Sequence, residues 1–200
     1  MKVASFGASA STHVLPNLIH AISQHLPQIK IEIIEFTDEG ALLALREGRV
    51  DFAIAVDKEY LDLESIPILT DRMVALVHED YPYIPVASFV GFGYRRPRFY
   101  LSKGGSEALI REWFKLSKSR LREKHTIVQL TSILALIRAG LGVSIVAELA
   151  VPESYPSVNE YPRNICVAKR SGCFSSNAAR LTWDFLSKNR SLNYLSKRGH

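Results

Sequence analysis

Apolar positions at helical spacing in residues 41–47, ALLALRE, give way at Gly48 to the nearly unbroken apolar run of residues 50–56, VDFAIAV. Leu42, Leu45 and Arg46 mark a helix, and a glycine just past it supplies the left-handed residue that commonly ends one. A short apolar run with so little polar interruption predicts a strand covered on both faces. The same order recurs over residues 134–146, LALIRAGLGVSIV, with Gly140 in the place of Gly48. Two helix–glycine–strand units, one in each half, predict two similar α/β lobes.

The first half reads βαβαβ. Residues 2–6 form a short apolar strand, the small residues Gly7-Ala8-Ser9-Ala10-Ser11-Thr12 a turn, and residues 15–26 a helix. Leu15, Leu18, Ile19, Ile22 and Leu26 give that helix one apolar stripe, Pro16 suits its first turn and Pro27 stops it. Residues 29–36, IKIEIIEF, alternate as a second strand, Thr37-Asp38 can cap a helix over 39–47, and 50–56 is the third strand. In such a sheet, ligands sit at the carboxyl ends of the strands, where residues 7–12 and Thr37-Asp38 both fall. Hydroxyls there have two readings. Ser11 or Thr12 satisfies orphan N–H groups as a cap, or the N–H groups and hydroxyls hold a carboxylate or another anion. The two are compatible.

After a polar loop at 57–63, residues 65–69 make a short strand and residues 72–78 a strand crossing into the second lobe, with Tyr81-Pro82-Tyr83-Ile84-Pro85 as punctuation. Residues 91–105, GFGYRRPRFYLSKGG, crowd Arg95, Arg96, Arg98 and Lys103 among four aromatic residues. They read either as a solvated basic loop beside a strand at 98–101, or as an anion-holding turn in which Ser102, Lys103, Gly104 and Gly105 open a helix over 106–116. The spacing of a P-loop is absent. A basic run at 118–124 is a solvated surface; residues 125–130 form a strand, Thr131 caps a helix over 132–139, and 143–147 is a further strand. Residues 164–170 return to the first lobe, and a helix over 176–188 packs Ala179, Leu181, Trp183 and Leu186 back onto it, with Trp113 and Trp183 as core. The basic tail at 191–200 frays. Residues 1–74 with 165–200 are thus expected to form lobe I, and residues 75–164 lobe II.

Composition narrows the chemistry. Two hundred residues, 47% hydrophobic, suffice for one domain or two small lobes sharing a hinge. No apolar run approaches the roughly 18 residues of a membrane span, and the amino-terminal apolar stretch is too short for a secretion signal, so no membrane partner and a cytoplasmic location are expected. Cys166 and Cys173 lack metal-ligand spacing and the six histidines are scattered, so neither metal nor cofactor is expected. The formal charge of +5 is spread along the chain rather than gathered on one helix. It fits an anionic small ligand as well as a nucleic acid. GASAS lacks the trailing glycine of a nucleophile elbow, and Asp38, Glu39, Glu47 and Asp51 are each explained by caps or strand ends. The expectation is binding without turnover, not an enzyme.

Three stretches in this order, FGASASTHVLPNLIHAISQHLPQIKIEIIE, LREGRVDFAIA and IRAGLGVSIV, span nearly the whole chain. Together they resemble the effector-binding domain of LysR-type transcriptional regulators. The resemblance implies an α/β fold of two Rossmann-like lobes joined by two crossover strands, like the type 2 periplasmic binding proteins. It implies a small effector, often an anion, held between the lobes by Ser9, Ser11 and Thr12, by Thr37 and Asp38, by Leu101, Ser102 and Lys103, and by Thr131 and Ser132. It further implies a homodimer or tetramer with the helices at 15–26 and 106–116 at the interface. DNA would be met only through a helix-turn-helix domain absent from this chain. The opening turn is shorter than the family's usual form, and Ala147 stands where proline is common. An effector would favour one hinge setting by its differential affinity and pass that bias to the DNA-binding heads. The rival is a free-standing solute-binding protein of a transport system with the same architecture.

Overall fold

Burial on both faces and burial on one face leave different signatures in the first three strands. A computed structural model describes residues 1–58, 60–80, 99–102, 105–116, 123–152 and 157–189. In it β1 (Lys2–Phe6) is parallel to β2 (Glu32–Phe36), pairing Lys2 with Glu32 through Phe6 with Phe36, and parallel to β3 (Phe52–Val56) on its other side. Every residue of β3 is buried, as its uninterrupted apolar run requires. β2, at the sheet edge, has only exposed and half-buried positions and keeps two glutamates.

The chain divides into two units, Met1–Asp71 with Arg163–His200, and Arg72–Pro162. Two long strands have residues in both: β4 (Leu63–Leu76) and β8 (Ser157–Arg170), 14 residues each. Here the structure departs from the pattern. Residues 65–69 and 72–76 belong to one strand, which ends before residues 77 and 78, and the returning strand starts well before residue 164. Pro67 and Pro162 weaken the strand signal because proline donates no ladder bond, yet its backbone angle is compatible with extended chain.

In the first unit the strand order is β2-β1-β3-β8, with β8 antiparallel to β3. Helix α2 (Leu15–His25) carries Pro16 in its first turn and buries Leu15, Leu18, Ala21 and Ile22. Helix α3 (Asp38–Arg46) is capped by Thr37, whose hydroxyl accepts from Gly40 N–H. The closing helix α6 (Asn177–Lys188) is capped by Ser176 and buries Ala179, Thr182 and Leu186. Trp183 stacks on Phe52 of β3 with ring centroids 5.9 Å apart, half-buried rather than enclosed.

The second unit has the order β4-β7-β5-β6, built from β4, β7 (Val143–Ala147), β5 (Phe99–Ser102) and β6 (Glu123–Ile127). Alternate residues of β4 and β7 divide between two cores. Met73, Ala75, Val143, Ile145 and Ala147 pack with Ile110 of α4 (Gly105–Leu116). Val74, Leu76 and Val146 pack with Ile133 and Ile137 of α5 (Leu130–Arg138).

The repeated helix–glycine–strand unit has one physical basis. Gly48 and Gly140 take φ of 71° and 67°. Gly48 N–H reaches Leu45 O at 3.0 Å and Arg49 N–H reaches Ala44 O at 2.9 Å; Gly140 and Leu141 do the same to Ile137 O and Leu136 O at 2.9 and 3.0 Å. Both helices end in the paired Schellman bonds that satisfy their last carbonyls. The expectations placed on the segment 81–85, on Arg95, Arg96 and Arg98, on the basic run 118–122 and on the tail 191–200 lie outside the described residues, as does the side chain of Trp113.

Candidate functional site

Phe6 leaves β1 fully extended, and Gly7, at φ 61°, turns the chain straight into a helix. An L side chain at that angle is costly, so glycine makes the sharp entry possible. The open turn expected over residues 7–12 is therefore helical: α1 (Gly7–Ser9) runs into a π-helical turn (Ala10–Val14) and then into α2. Small residues read as a loop in sequence, but here they let Ser9, Ala10 and Val14 sit buried against the sheet. The wider turn rotates the helix face, a device frequent at functional sites. Phe6, as the residue before the helix, offers no side-chain bond to the first N–H groups.

Around that start the hydroxyls are not equivalent. Ser11 Oγ lies 3.4 Å from Ser5 Oγ and donates to Glu35 Oε1 at 3.5 Å. Thr12 Oγ1 donates to Ala8 O at 2.6 Å, so its proton is spent inside the helix. Thr37 Oγ1 accepts from Gly40 N–H at 3.2 Å, which leaves its own proton for another acceptor. Because Phe6 and Phe36 are register partners, Gly7 and Thr37 emerge side by side at one sheet edge. Asp38 follows as the first residue of α3. Ser5 and Glu35, themselves register partners, were not distinguishable in sequence, since only strand pairing brings them together.

The second unit repeats the arrangement. Leu101 and Ser102 end β5, and Ser102 pairs with Ile127 at the end of parallel β6. α5 opens at the same edge, but it begins at Leu130 with Gln129 as its capping position and no side-chain cap. Thr131 is thus not the cap; it and Ser132 lie exposed in the first turn. Half-buried Leu130 packs against the core and draws the helix start back. Lys103 lies outside the described residues.

A third cluster lies at the end of β3. Ser65 Oγ donates to Asp57 Oδ1 at 2.9 Å, and Tyr60 OH donates to Val56 O at 3.1 Å. Burial, reinforced by the Asp57 carboxylate, pushes the Cys166 thiol up to about 12, so it is no nucleophile at neutral pH. Burial also raises the Tyr60 phenol. Among the described residues no group of three or more His, Cys, Asp and Glu could hold a metal ion.

Among solved structures the fold matches the effector binding domain of QuiR in complex with shikimate, with a TM-score of 0.79, 18% identity, and coverage of 100% of this chain and 98% of that one. It likewise matches the Synechocystis PCC6803 CcmR regulatory domain in complex with 2-PG, with a TM-score of 0.76, 17% identity, and coverage of 94% and 95%. These are domains of the type 2 periplasmic-binding-protein-like fold. Among curated relatives, the HTH-type transcriptional regulator YoaU of Bacillus subtilis is 25% identical over 166 residues, 82% of this chain and 57% of the relative. The probable HTH-type transcriptional regulator LrrA of Synechococcus elongatus is 27% identical over 160 residues, 79% and 53%. The chain thus spans a little over half the length of these relatives. No helix among the described residues is long and apolar enough to cross a membrane. The family model of the LysR substrate binding domain matches residues 3–191, and the chain belongs to that family.

Proposed function

We propose that this chain is the effector-sensing part of a LysR-type transcription regulator acting in the cytoplasm, and that its effector is a small anion bound without turnover. One observation carries the reading: a helix that starts directly at the carboxyl end of β1 without a side-chain cap, beside Ser11 and one strand away from Thr37. N–H groups at a helix start carry partial positive charge, and two hydroxyls complete a cradle for carboxylate oxygens: Thr37, which keeps its own proton, and Ser11, which would turn its proton from Glu35 to the ligand. Shikimate, recorded with one structural neighbour, is a carboxylate, which supports the same class here. Ser9 is buried and Thr12 is bonded within the helix, so Ser11 and Thr37 are the hydroxyls assigned to the ligand.

The relatives are helix-turn-helix regulators, which favours a regulator over a component of a transport system. In this reading DNA is met by a helix-turn-helix domain outside these residues, and the working unit is a homodimer or tetramer. Effector binding biases the regulator by its differential affinity for two conformations. Isothermal titration against paired carboxylates and their neutral amides tests the assignment. Carboxylates are expected to bind, and Ser11→Ala to weaken them about tenfold by removing a hydrogen bond to a charged group. A screen in which only neutral compounds bind would overturn it.

A further inference from the structure

The first unit holds a cavity of ≈ 460 Å³ that shares no residue with the Ser11 and Thr37 cradle; Asp57, Lys58, Tyr60, Leu63 and Ser65 line it. Its size lies within the roughly 300–1,000 Å³ of small-molecule sites. Its chemistry follows from where the protons go. The Ser65 hydroxyl proton is given to Asp57, and the Tyr60 phenol proton to the Val56 carbonyl. Both oxygens keep lone pairs, and a carboxylate accepts about four hydrogen bonds, of which Asp57 has committed only part. Three oxygen-bearing side chains therefore present acceptors. Lys58 is exposed and, among the described residues, has no hydrogen bond or ion pair and supplies the only ammonium in the lining. The Tyr60 ring and the largely buried Leu63 add an apolar surface.

We infer that this cavity is a second ligand site, taking a zwitterionic amino acid with an apolar side chain: its ammonium meets Asp57, Ser65 and Tyr60 oxygens, and its carboxylate meets Lys58. A simple anion would satisfy Lys58 but place its charge against Asp57, and a simple amine would do the reverse. Of these, only a ligand carrying both charges satisfies both side chains. The site lies at the carboxyl end of β3, a neighbour of β1 in the same sheet.

Titration of the intact chain with L-leucine, isopentylamine and 4-methylpentanoate tests this. L-Leucine is expected to bind, with each single-charge analogue at least tenfold weaker. Asp57→Asn, close to isosteric, and Lys58→Met, at an exposed position, are each expected to raise the L-leucine dissociation constant at least tenfold, whereas Ser11→Ala leaves it unchanged. A circular dichroism melt that matches the parent confirms that the variants are folded. No binding of L-leucine, equal binding of 4-methylpentanoate, or loss in Ser11→Ala with Asp57→Asn unaffected would each overturn the inference. Because Ser11→Ala reports on the effector cradle separately, failure of one site is distinguishable from failure of the other.

Discussion

Lys169 Nζ lies 2.8 Å from Glu64 Oε1, with the lysine side chain only 4% exposed and the glutamate 46% exposed. The ammonium also sits 4.7 Å from the Phe174 ring centroid and 5.1 Å from that of Trp183, and it donates to Arg170 O at 3.1 Å. A strand of the first unit, the turn after it and the closing helix therefore share one buried cation. Lys169→Ala removes the ion pair, two cation–π contacts and the aliphatic stem. It should cost about 2–4 kcal/mol, which at this chain length lowers the melting temperature by roughly 5–15 °C. Lys169→Met, which keeps the stem on the rings, should lose less in the same thermal melt.

The same pair sets a pH dependence. The Lys169 ammonium, and after it the Gly172 N–H at 2.8 Å, hold the Glu64 carboxyl below its ordinary value. A folded-state value below the unfolded one of about 4.3 adds stability that is present above that unfolded value and is lost as pH falls through the lower folded one. Glu64→Gln should therefore be less stable than the parent near neutral pH and converge with it at the acid end of a urea-denaturation series. A gap that stays constant across the series would show that charge is not what Glu64 contributes.

How much of this the sequence discloses depends on how local each feature is. Gly48 and Gly140, the stripe on α2 and the caps Thr37 and Ser176 are readable because each is settled within one or two helical turns. The helix start at Gly7 is not, since Ala8, Ser9, Ala10 and Ser11 have the composition of a turn, and only burial against the sheet winds them into a helix. Strand lengths through Pro67 and Pro162 depend on partners far along the chain. The Ser11–Glu35 contact spans 24 residues and follows from the β1–β2 register. Asp57 and Ser65 read as loop and strand residues until the fold brings their oxygens together.

The two helix-ending glycines separate backbone strain from crowding. A Cβ at Gly140 would meet nothing closer than the His78 ring at 3.8 Å, whereas one at Gly48 would lie 3.1 Å from Arg170 Nη1. Gly140→Ala should therefore cost only the left-handed backbone term, about 1–2 kcal/mol. Gly48→Ala should cost slightly more, because the flexible Arg170 head must also move. Gly140→Asn should recover part of the loss, as asparagine tolerates this conformation. Denaturation midpoints of the three variants decide the order.

Thr182 offers a gain. It is fully buried in α6, and among the described residues its Oγ1 has no hydrogen-bond partner. A buried hydroxyl without a partner forfeits about 1–3 kcal/mol of solvation. Valine keeps the shape and adds no polar atom. Thr182→Val should raise the melting temperature by roughly 2–4 °C, and a fall instead would mean that the hydroxyl is satisfied in solution.

Glu35 is the residue that most directly qualifies an anionic effector. Its carboxylate accepts from Ser11 at the cradle's edge, so any anion held by Ser11 and the helix start lies near a like charge. At about 6 Å and an effective dielectric of roughly 40–80, that repulsion is about 0.7–1.4 kcal/mol. Glu35→Gln removes the charge and keeps an oxygen that can accept from Ser11. Carboxylate affinity should rise about three- to tenfold, and the advantage should shrink as salt is added. Loss of affinity in Glu35→Gln would instead mean that the carboxylate itself receives a hydrogen-bond donor of the effector, and the ligand would then carry a hydroxyl or an amine at that position. Titration of the parent and the variant with one carboxylate at two ionic strengths separates the two.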